Sequence, residues 1–224
     1  MKNLKAKQLS FKKVMLSMVI IMLVWTTFWY PFDYFIFPEN LNEGVKNFLG
    51  ICREYLRMAP AIFFIFYYSK QINLNFKDLF SLKFNYKWFL TILSIFVIYI
   101  IAAPSFMYGR IYIKPHKMLF YDIALWLSLG LCQELVFRGW SFNAFKSVTS
   151  QKNAVILSSA FFAVSHWFAH FFMAIDNRFN LANFISVTIF TFVFGVFMCF
   201  IMIKTKDKSI VPLIILHAVW DFLG

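Results

Sequence analysis

Long apolar stretches, separated by short polar segments, recur along the whole chain. Each stretch holds about 20 predominantly apolar residues, the length that an α-helix needs to cross the hydrocarbon core of a bilayer. The pattern therefore predicts an all-α fold, a polytopic transmembrane bundle of about seven membrane helices. These helices are expected near residues 14–36, 45–69, 88–107, 119–146, 153–173, 181–203 and 209–223.

The second apolar stretch departs most from this pattern. Its first half contains Lys46, Arg53, Glu54 and Arg57. We expect that half to lie at the membrane surface as an amphipathic helix, ahead of Pro60. The segment from 71 to 87 is too short to span a membrane and is predicted to be a surface loop or a short interfacial helix.

The charges between the stretches predict the orientation of the chain. If the N-terminus is cytosolic, the first outside loop carries Glu39 and Glu43, and most lysines fall in cytosolic loops, as the positive-inside rule requires. The loop with Arg110, Lys114 and Lys117 is the exception. We therefore predict a multi-pass cell-membrane protein with a cytoplasmic N-terminus. The cytosolic lysines would be Lys70, Lys77, Lys83, Lys87, Lys146, Lys152, Lys204, Lys206 and Lys208.

Composition supports the membrane assignment. The 224 residues are 61% hydrophobic and 14% charged, whereas about a quarter of the residues of a soluble domain are charged. The net charge of +12 suggests anionic lipid head groups as partners and not nucleic acid, because the lysines lie at the ends of apolar runs. Cys52, Cys132 and Cys199 have no metal-ligand spacing and are interpreted as packing residues.

One apolar stretch contains an unusual polar group, the sequence QELVFR at 133–138. A charge at the centre of a bilayer costs about 2.5–3.5 kcal/mol on insertion scales, so a Glu or an Arg there normally faces a partner or a wet cavity. Glu134 and Arg138 are four residues apart on one helix face and can neutralise each other. The pair is either a structural tie within the bundle or part of a reaction site.

Histidines are concentrated in the same half of the chain. Three of the four lie in predicted membrane helices, namely His166, His170 and His217. His166 and His170 share a helix face, as do His217 and Asp221, so imidazole and carboxylate groups from different helices can meet at one point. Together with Gln133 and Glu134, they can activate a water directly or through a metal. A single histidine can instead form a helix–helix hydrogen bond, which we expect for His170. A further alternative is that these polar groups relay protons or cations across the membrane.

Three motifs carry a resemblance to a known family. QELVFR at 133–138, FAVSH at 162–166 and HAVWD at 217–221 resemble, in order, the EExxxR, FxxxH and HxxxN/D motifs of the CPBP family. This family comprises intramembrane CAAX prenyl endopeptidases and bacteriocin-processing or self-immunity membrane proteins. The resemblance covers about the last hundred residues and divides the chain into a divergent part, 1–117, and a CPBP-like membrane domain, 118–224.

The resemblance implies an endopeptidase that cuts a membrane-associated peptide or a lipidated protein end inside the membrane. It implies that His166, His217 and Asp221 position water and an oxyanion or bind a metal, with zinc the expected ion. Phe162 would line the cavity, and Arg138 would hold Glu134 or a substrate carboxylate. The small members of the family imply a bacterial plasma membrane. The oligomeric state is not predicted.

The chain departs from the family at Gln133. The family has an acid at this position that polarises the attacking water, and an amide cannot accept the proton of that water. Glu134 does not simply replace it, since adjacent helix residues point about 100° apart. A rotated or kinked helix near Gly130, or His166 or Asp221 acting as the base, would preserve activity. Otherwise the protein is a catalytically impaired membrane immunity or regulatory binding protein.

Overall fold

The computed structural model describes residues 9–31, 41–108, 119–175, 179–205 and 208–223. Within these ranges the chain is helical apart from short turns and loops, with no strand. The predicted boundary after residue 117 lies outside them, as do Glu39, Arg110, Lys114, Lys117 and Lys206 of the orientation argument. The helices are α1 (Phe11–Pro31), α2 (Glu43–Ile72), α3 (Phe76–Leu79), α4 (Tyr86–Tyr108), α5 (Leu119–Glu134), a π-helical segment (Leu135–Phe142), α6 (Asn143–Val148), α7 (Gln151–Ile175), α8 (Leu181–Thr205) and α9 (Val211–Leu223).

Each predicted apolar stretch coincides with a helix, so the all-α membrane bundle is confirmed. Within the described ranges, three helical stretches are long and apolar enough to cross a bilayer, namely Leu119–Val148, Gln151–Phe171 and Leu181–Thr205. Two shorter apolar stretches are Tyr86–Ala102, which is part of α4, and Val211–Leu223, which is α9. The segment from 71 to 87 contains the single turn α3, which agrees with the predicted short helix.

Helix α2 corrects one expectation. It is one continuous helix with Pro60 inside it, and it begins after the N-cap Asn42, whose side chain accepts a hydrogen bond from the backbone N–H of Gly44. Glu54 and Arg57 are fully buried in the protein. Two of the four charges in the first half of this segment thus face the protein interior, which the sequence analysis did not predict. Because these charges pair with one another, the protein interior accommodates them.

The centre of the bundle is the continuous run of α5 and the π-helical segment, which contacts α2, α7 and α9. Helix α2 runs alongside it in the same direction. At one end Asn47 Nδ2 donates to Asp122 Oδ1 over 2.9 Å, and at the other the rings of Phe64 and Trp140 stack with centroids 5.4 Å apart. The middle of α2, where Glu54 lies, is therefore level with the middle of this run.

Helix α1 is joined to the π-helical segment through Trp140. The buried indole Nε1 donates to Ser17 Oγ over 2.9 Å, and Ser17 Oγ in turn donates to the Val14 carbonyl over 2.7 Å. The ring also stacks on Tyr68, with centroids 5.9 Å apart. Trp140 thus holds α1 and α2 against the segment that follows Glu134.

Replacing Trp140 with phenylalanine is expected to keep the stacking and to remove the hydrogen bond. We predict a loss of about 0.5–1.5 kcal/mol in the free energy of unfolding, the net value of a typical hydrogen bond. Denaturant unfolding of the purified protein in detergent checks this. Ser17→Ala should cost a similar amount and the double variant little more, whereas additive losses would show that the two groups do not interact.

Candidate active site

The helix changes geometry at the predicted polar motif. α-Helical hydrogen bonding ends at Glu134 and π-helical bonding follows from Leu135 to Phe142. Side chains satisfy carbonyls in this segment: Asn143 Nδ2 donates to the Arg138 carbonyl over 2.7 Å, and Ser158 Oγ of α7 donates to the Phe137 carbonyl over 2.7 Å. Such π-helical turns are frequent at functional sites.

Glu134 is the acceptor at the centre of the site. Its Oε1 lies 2.7 Å from His217 Nδ1 of α9 and 3.2 Å from Arg138 Nη1. The Glu134 side chain is fully buried and that of Arg138 is 1% exposed. The predicted pair between Glu134 and Arg138 is confirmed, and it also holds a histidine from another helix. Arg138 Nη2 further donates to the Gly195 carbonyl of α8 over 3.4 Å.

The approach of α9 to Glu134 depends on Gly130. A Cβ atom at Gly130 would lie 2.8 Å from the Ile214 carbonyl oxygen and 3.3 Å from the Ala218 nitrogen. Both atoms belong to the α9 backbone and cannot rotate away. The glycine therefore allows the two helices to come close enough for Glu134 to reach His217.

Gly130→Ala is expected to push α9 away from α5. We predict a loss of about 1–3 kcal/mol of stability, which is typical of overpacking, and a loss of activity because the bond between Glu134 and His217 lengthens. The matched control is Gly50→Ala, where the new methyl group would meet mainly the end of the Leu125 side chain. The free energy of unfolding measured in detergent should fall more in Gly130→Ala than in Gly50→Ala. Equal losses of stability in the two variants would contradict this role of Gly130.

His217 lies between two carboxylates. Its Nδ1 faces Glu134, and its Nε2 lies 3.7 Å from Asp221 Oδ2, one turn further along α9. The imidazole is 5% exposed. Since both ring nitrogens face carboxylate oxygens, the ring is placed to act as a hydrogen-bond donor.

Phe162 brings the second histidine into the same cluster. Its ring centroid is 4.8 Å from that of His166 and 5.9 Å from that of His217, and Arg138 Cζ lies 4.6 Å above the ring. His166 Nδ1 is 2.8 Å from the Phe162 carbonyl oxygen. This oxygen can only accept, so Nδ1 carries the hydrogen and Nε2 of the neutral ring is left as an acceptor.

Gln133 is next to Glu134 in sequence but does not share its partners. The residue is buried, and its Oε1 has no hydrogen-bond partner in the part of the chain that the structure describes. An unsatisfied buried amide oxygen is a site for a bound water or a substrate group. The structure thus brings together the side chains of Glu134, Arg138, Phe162, His166, His217 and Asp221, and Gln133 directly precedes the first of them in the chain.

The remaining histidine takes a different position. His170 is buried and packs edge-on against Phe184 of α8, with ring centroids 5.5 Å apart. Its Nδ1 has no hydrogen-bond partner among the described residues. The expected contact between helices is therefore present as packing of the His170 ring on Phe184 of α8. The expected hydrogen bond is not made by His170 Nδ1 to any described residue.

A zinc ion does not fit these side chains as they stand. In the described ranges no three His, Cys, Asp or Glu side chains are grouped so that they could hold a metal. His217 Nδ1 is taken by Glu134, and His217 Nε2 and Asp221 Oδ2, 3.7 Å apart, are not joined by a third ligand among the described residues. The predicted ligands His166, His217 and Asp221 therefore do not form a three-ligand zinc site in this arrangement.

A second buried charged cluster was not predicted as part of the site. Glu54 Oε1 of α2 is 2.8 Å from Arg57 Nη1 and 3.0 Å from Arg53 Nε. Arg57 Cζ lies 4.8 Å from the centroid of the Trp25 ring of α1. The signal in the sequence was the spacing of Glu54 and Arg57, three residues apart on one helix face inside an apolar run.

Comparison with known proteins agrees with the geometry. Residues 114–223 match the family described as Rce1-like type II CAAX prenyl endopeptidase. Neither the curated proteins nor the solved structures contain a match. All three motifs and every residue of the cluster around Phe162 lie within the matched range. This region of the chain is therefore similar to the Rce1-like type II CAAX prenyl endopeptidases, which is consistent with the resemblance of its three motifs to the CPBP family.

Proposed function

We propose that this protein is an intramembrane endopeptidase that hydrolyses a peptide bond in a membrane-associated peptide or near a lipidated protein end. The observation that carries the proposal is the buried contact between Glu134 and His217, which is held beside His166 by the Phe162 ring. A buried carboxylate that orients an imidazole is a recurrent element of hydrolytic sites.

In this proposal each histidine has its own role. His166 Nε2 accepts a hydrogen bond from the attacking water and thereby positions it. His217, whose Nδ1 is held by Glu134 Oε1, donates a hydrogen bond from Nε2, which lies 3.7 Å from Asp221 Oδ2, to the substrate carbonyl oxygen as negative charge develops there. Arg138 keeps Glu134 in place and balances its charge.

The proton of the water needs an acceptor. Gln133 occupies the position of the family's water-polarising acid, and its amide can orient water but cannot take the proton. Glu134 Oε1 already accepts from His217 and Arg138, so an orienting role suits this residue better than that of the base. The motif residues thus supply positioning and charge stabilisation. His166 Nε2, which is left as an acceptor because Nδ1 donates to the Phe162 carbonyl, takes the proton of the water and returns it to the departing amine nitrogen.

Cleavage of defined peptides tests the proposal. The purified protein is reconstituted in liposomes with membrane-anchored peptides, including farnesylated C-terminal peptides, and the products are identified by mass spectrometry. We expect cleavage that His166→Ala and His217→Ala both reduce strongly. Saturable binding of a peptide that stays intact would instead support a non-catalytic binding protein, the alternative that Gln133 favours.

Removal of metal is a further test. Because the described ligands do not form a three-ligand site, we expect cleavage to persist within about twofold after extensive treatment with a chelator, whereas loss of a catalytic metal removes several kcal/mol of transition-state stabilisation. The metal content of the same preparation is measured. Activity that disappears and returns with added Zn²⁺ would show that the side chains rearrange around a metal.

A further inference from the structure

We infer that the end of the bundle that carries Lys146 and Lys208 binds one anionic phospholipid, with its headgroup in a polar cavity beside α6 and an acyl chain in a groove between α7 and α8. This inference does not depend on peptidase activity. It begins with the cavity, which has an empty volume of about 1340 Å³ and is partly open to the outside. Its polar lining comes from the end of α2, from α6, from the start of α7 and from the residues ahead of α9, namely Gln71, Asn73, Asn143, Lys146, Ser147, Gln151 and Lys208.

The charge of this cavity favours an anion. Lys146 and Lys208 line it, and none of the described residues in its lining is an aspartate or a glutamate. Lys208 Nζ lies 3.6 Å from Asp78 Oδ2 and donates to the Asn73 carbonyl over 3.2 Å. Both side chains of that ion pair are exposed, so the pair is weak, and the ammonium has a third hydrogen for a phosphate oxygen. The cavity therefore offers two cations to one anionic group.

An apolar groove between α7 and α8 continues the cavity along the bundle. Gln151 and Ile203 line both the cavity and the groove. From Ile203 to Phe192 the groove follows α8 for about 16 Å, at the helical rise of 1.5 Å per residue. Half of a hydrocarbon core about 30 Å thick is nearly the same depth, so the groove matches one acyl chain of a single leaflet. Its other lining residues are Lys152, Val155, Ile156 and Val196.

A phospholipid is the occupant that fits both parts at once. A soluble anion would fill only the cavity, and a hydrocarbon chain alone would use none of the basic groups. Lys146 and Lys208 are also among the lysines that the sequence predicts to be cytosolic, and the cytoplasmic leaflet is the one that is rich in anionic lipids. Charge, shape and depth thus point to the same ligand.

The cavity borders the segment that carries Arg138. Phe142, the last π-helical residue, lines the cavity together with Asn143. Asn143 Nδ2 donates to the carbonyls of Arg138 and Gly139, over 2.7 and 3.1 Å. A headgroup in the cavity therefore lies against the side chain that satisfies these carbonyls. Because a ligand that binds only the folded state stabilises that state, bound lipid should raise the unfolding temperature.

Native mass spectrometry of the full-length protein in detergent tests the headgroup site. The probe is dioleoyl phosphatidylglycerol, and dioleoyl phosphatidylcholine is the comparison without net charge. We expect one tightly bound phosphatidylglycerol and much weaker binding of phosphatidylcholine. Lys146→Gln/Lys208→Gln should weaken the binding of phosphatidylglycerol by about 30-fold, since each lysine near an anionic lipid contributes about fivefold. The matched control Lys83→Gln/Lys87→Gln removes the same charge from exposed lysines outside the cavity and should leave the affinity nearly unchanged.

Filling the groove tests the acyl-chain site. Val196→Trp places a ring in the groove and should weaken phosphatidylglycerol binding, whereas Val193→Trp places the same ring on an exposed position of α8 outside the groove and should not. Phosphatidylglycerol should also raise the unfolding temperature of the wild type and not that of Lys146→Gln/Lys208→Gln.

Several results would overturn the inference. They are equal affinity for the two lipids, equal losses in the two lysine pairs, and a wild type that retains no phosphatidylglycerol, whatever its activity on peptides. Glycerol 3-phosphate that binds as tightly as phosphatidylglycerol would also overturn it, because the cavity would then be a site for soluble anions.

Discussion

His217→Ala is expected to lower kcat for peptide cleavage by about 10²–10³, the cost of removing one oxyanion donor from a hydrolase. The reason is that Glu134 Oε1 holds Nδ1 of the ring, while Nε2, 3.7 Å from Asp221 Oδ2 and beyond hydrogen-bond length of it, can donate to the substrate oxygen. Since the interaction strengthens only as charge develops on the substrate, KM should change much less than kcat. Steady-state kinetics in liposomes measures both constants.

His170→Ala is the matched control for this variant. It also removes a mostly buried histidine from the bundle, but its ring packs on Phe184 and away from the cluster around Phe162. We expect kcat to stay within a few-fold of the wild-type value. If both alanine variants lost activity equally, the effect would reflect a loosened bundle and not the chemistry of His217.

Glu134→Ala is expected to have the largest effect on stability. It leaves Arg138 buried without its carboxylate, and breaking a buried pair by removing one partner costs about 3–5 kcal/mol. It also releases His217, whose Nδ1 lies 2.7 Å from Glu134 Oε1. The free energy of unfolding measured in detergent should therefore fall markedly, and cleavage should be lost at the same time.

The double variant Glu134→Ala/Arg138→Met separates the two effects. Because it removes the buried cation along with the carboxylate, it should recover much of the stability and none of the activity. A single Glu134→Ala variant as stable as the wild type would contradict the central role given to this carboxylate. Recovery of cleavage in the double variant would show that Glu134 serves only to neutralise Arg138.

The helices could be predicted from sequence because the bilayer imposes a length of about 20 apolar residues on each of them. The cluster of Glu134, Arg138, His166 and His217 could be predicted because polar groups at membrane depth require partners. The same reasoning did not predict the burial of Glu54 and Arg57, since charged residues near the start of an apolar run usually mark the membrane surface. Only packing against α1 and α5 shows that Glu54 and Arg57 are buried.

The π-helical segment had no signal in the sequence. Its carbonyls accept side-chain hydrogen bonds, a local one from Asn143 and a tertiary one from Ser158 of α7. The sharing of Glu134 Oε1 by Arg138 and His217 could not be predicted either. Helical spacing shows which side chains share a face, but it does not show which oxygen of a carboxylate a neighbouring helix will reach.

Incorporation of heavy oxygen from water tests the central claim most directly. The reconstituted protein is incubated with a membrane-anchored peptide in H₂¹⁸O, and the fragments are analysed by mass spectrometry. The account predicts that the wild type produces a fragment with ¹⁸O in its new C-terminal carboxyl group and that His217→Ala produces little or none. A peptide that binds saturably and is recovered whole, without ¹⁸O, would contradict it.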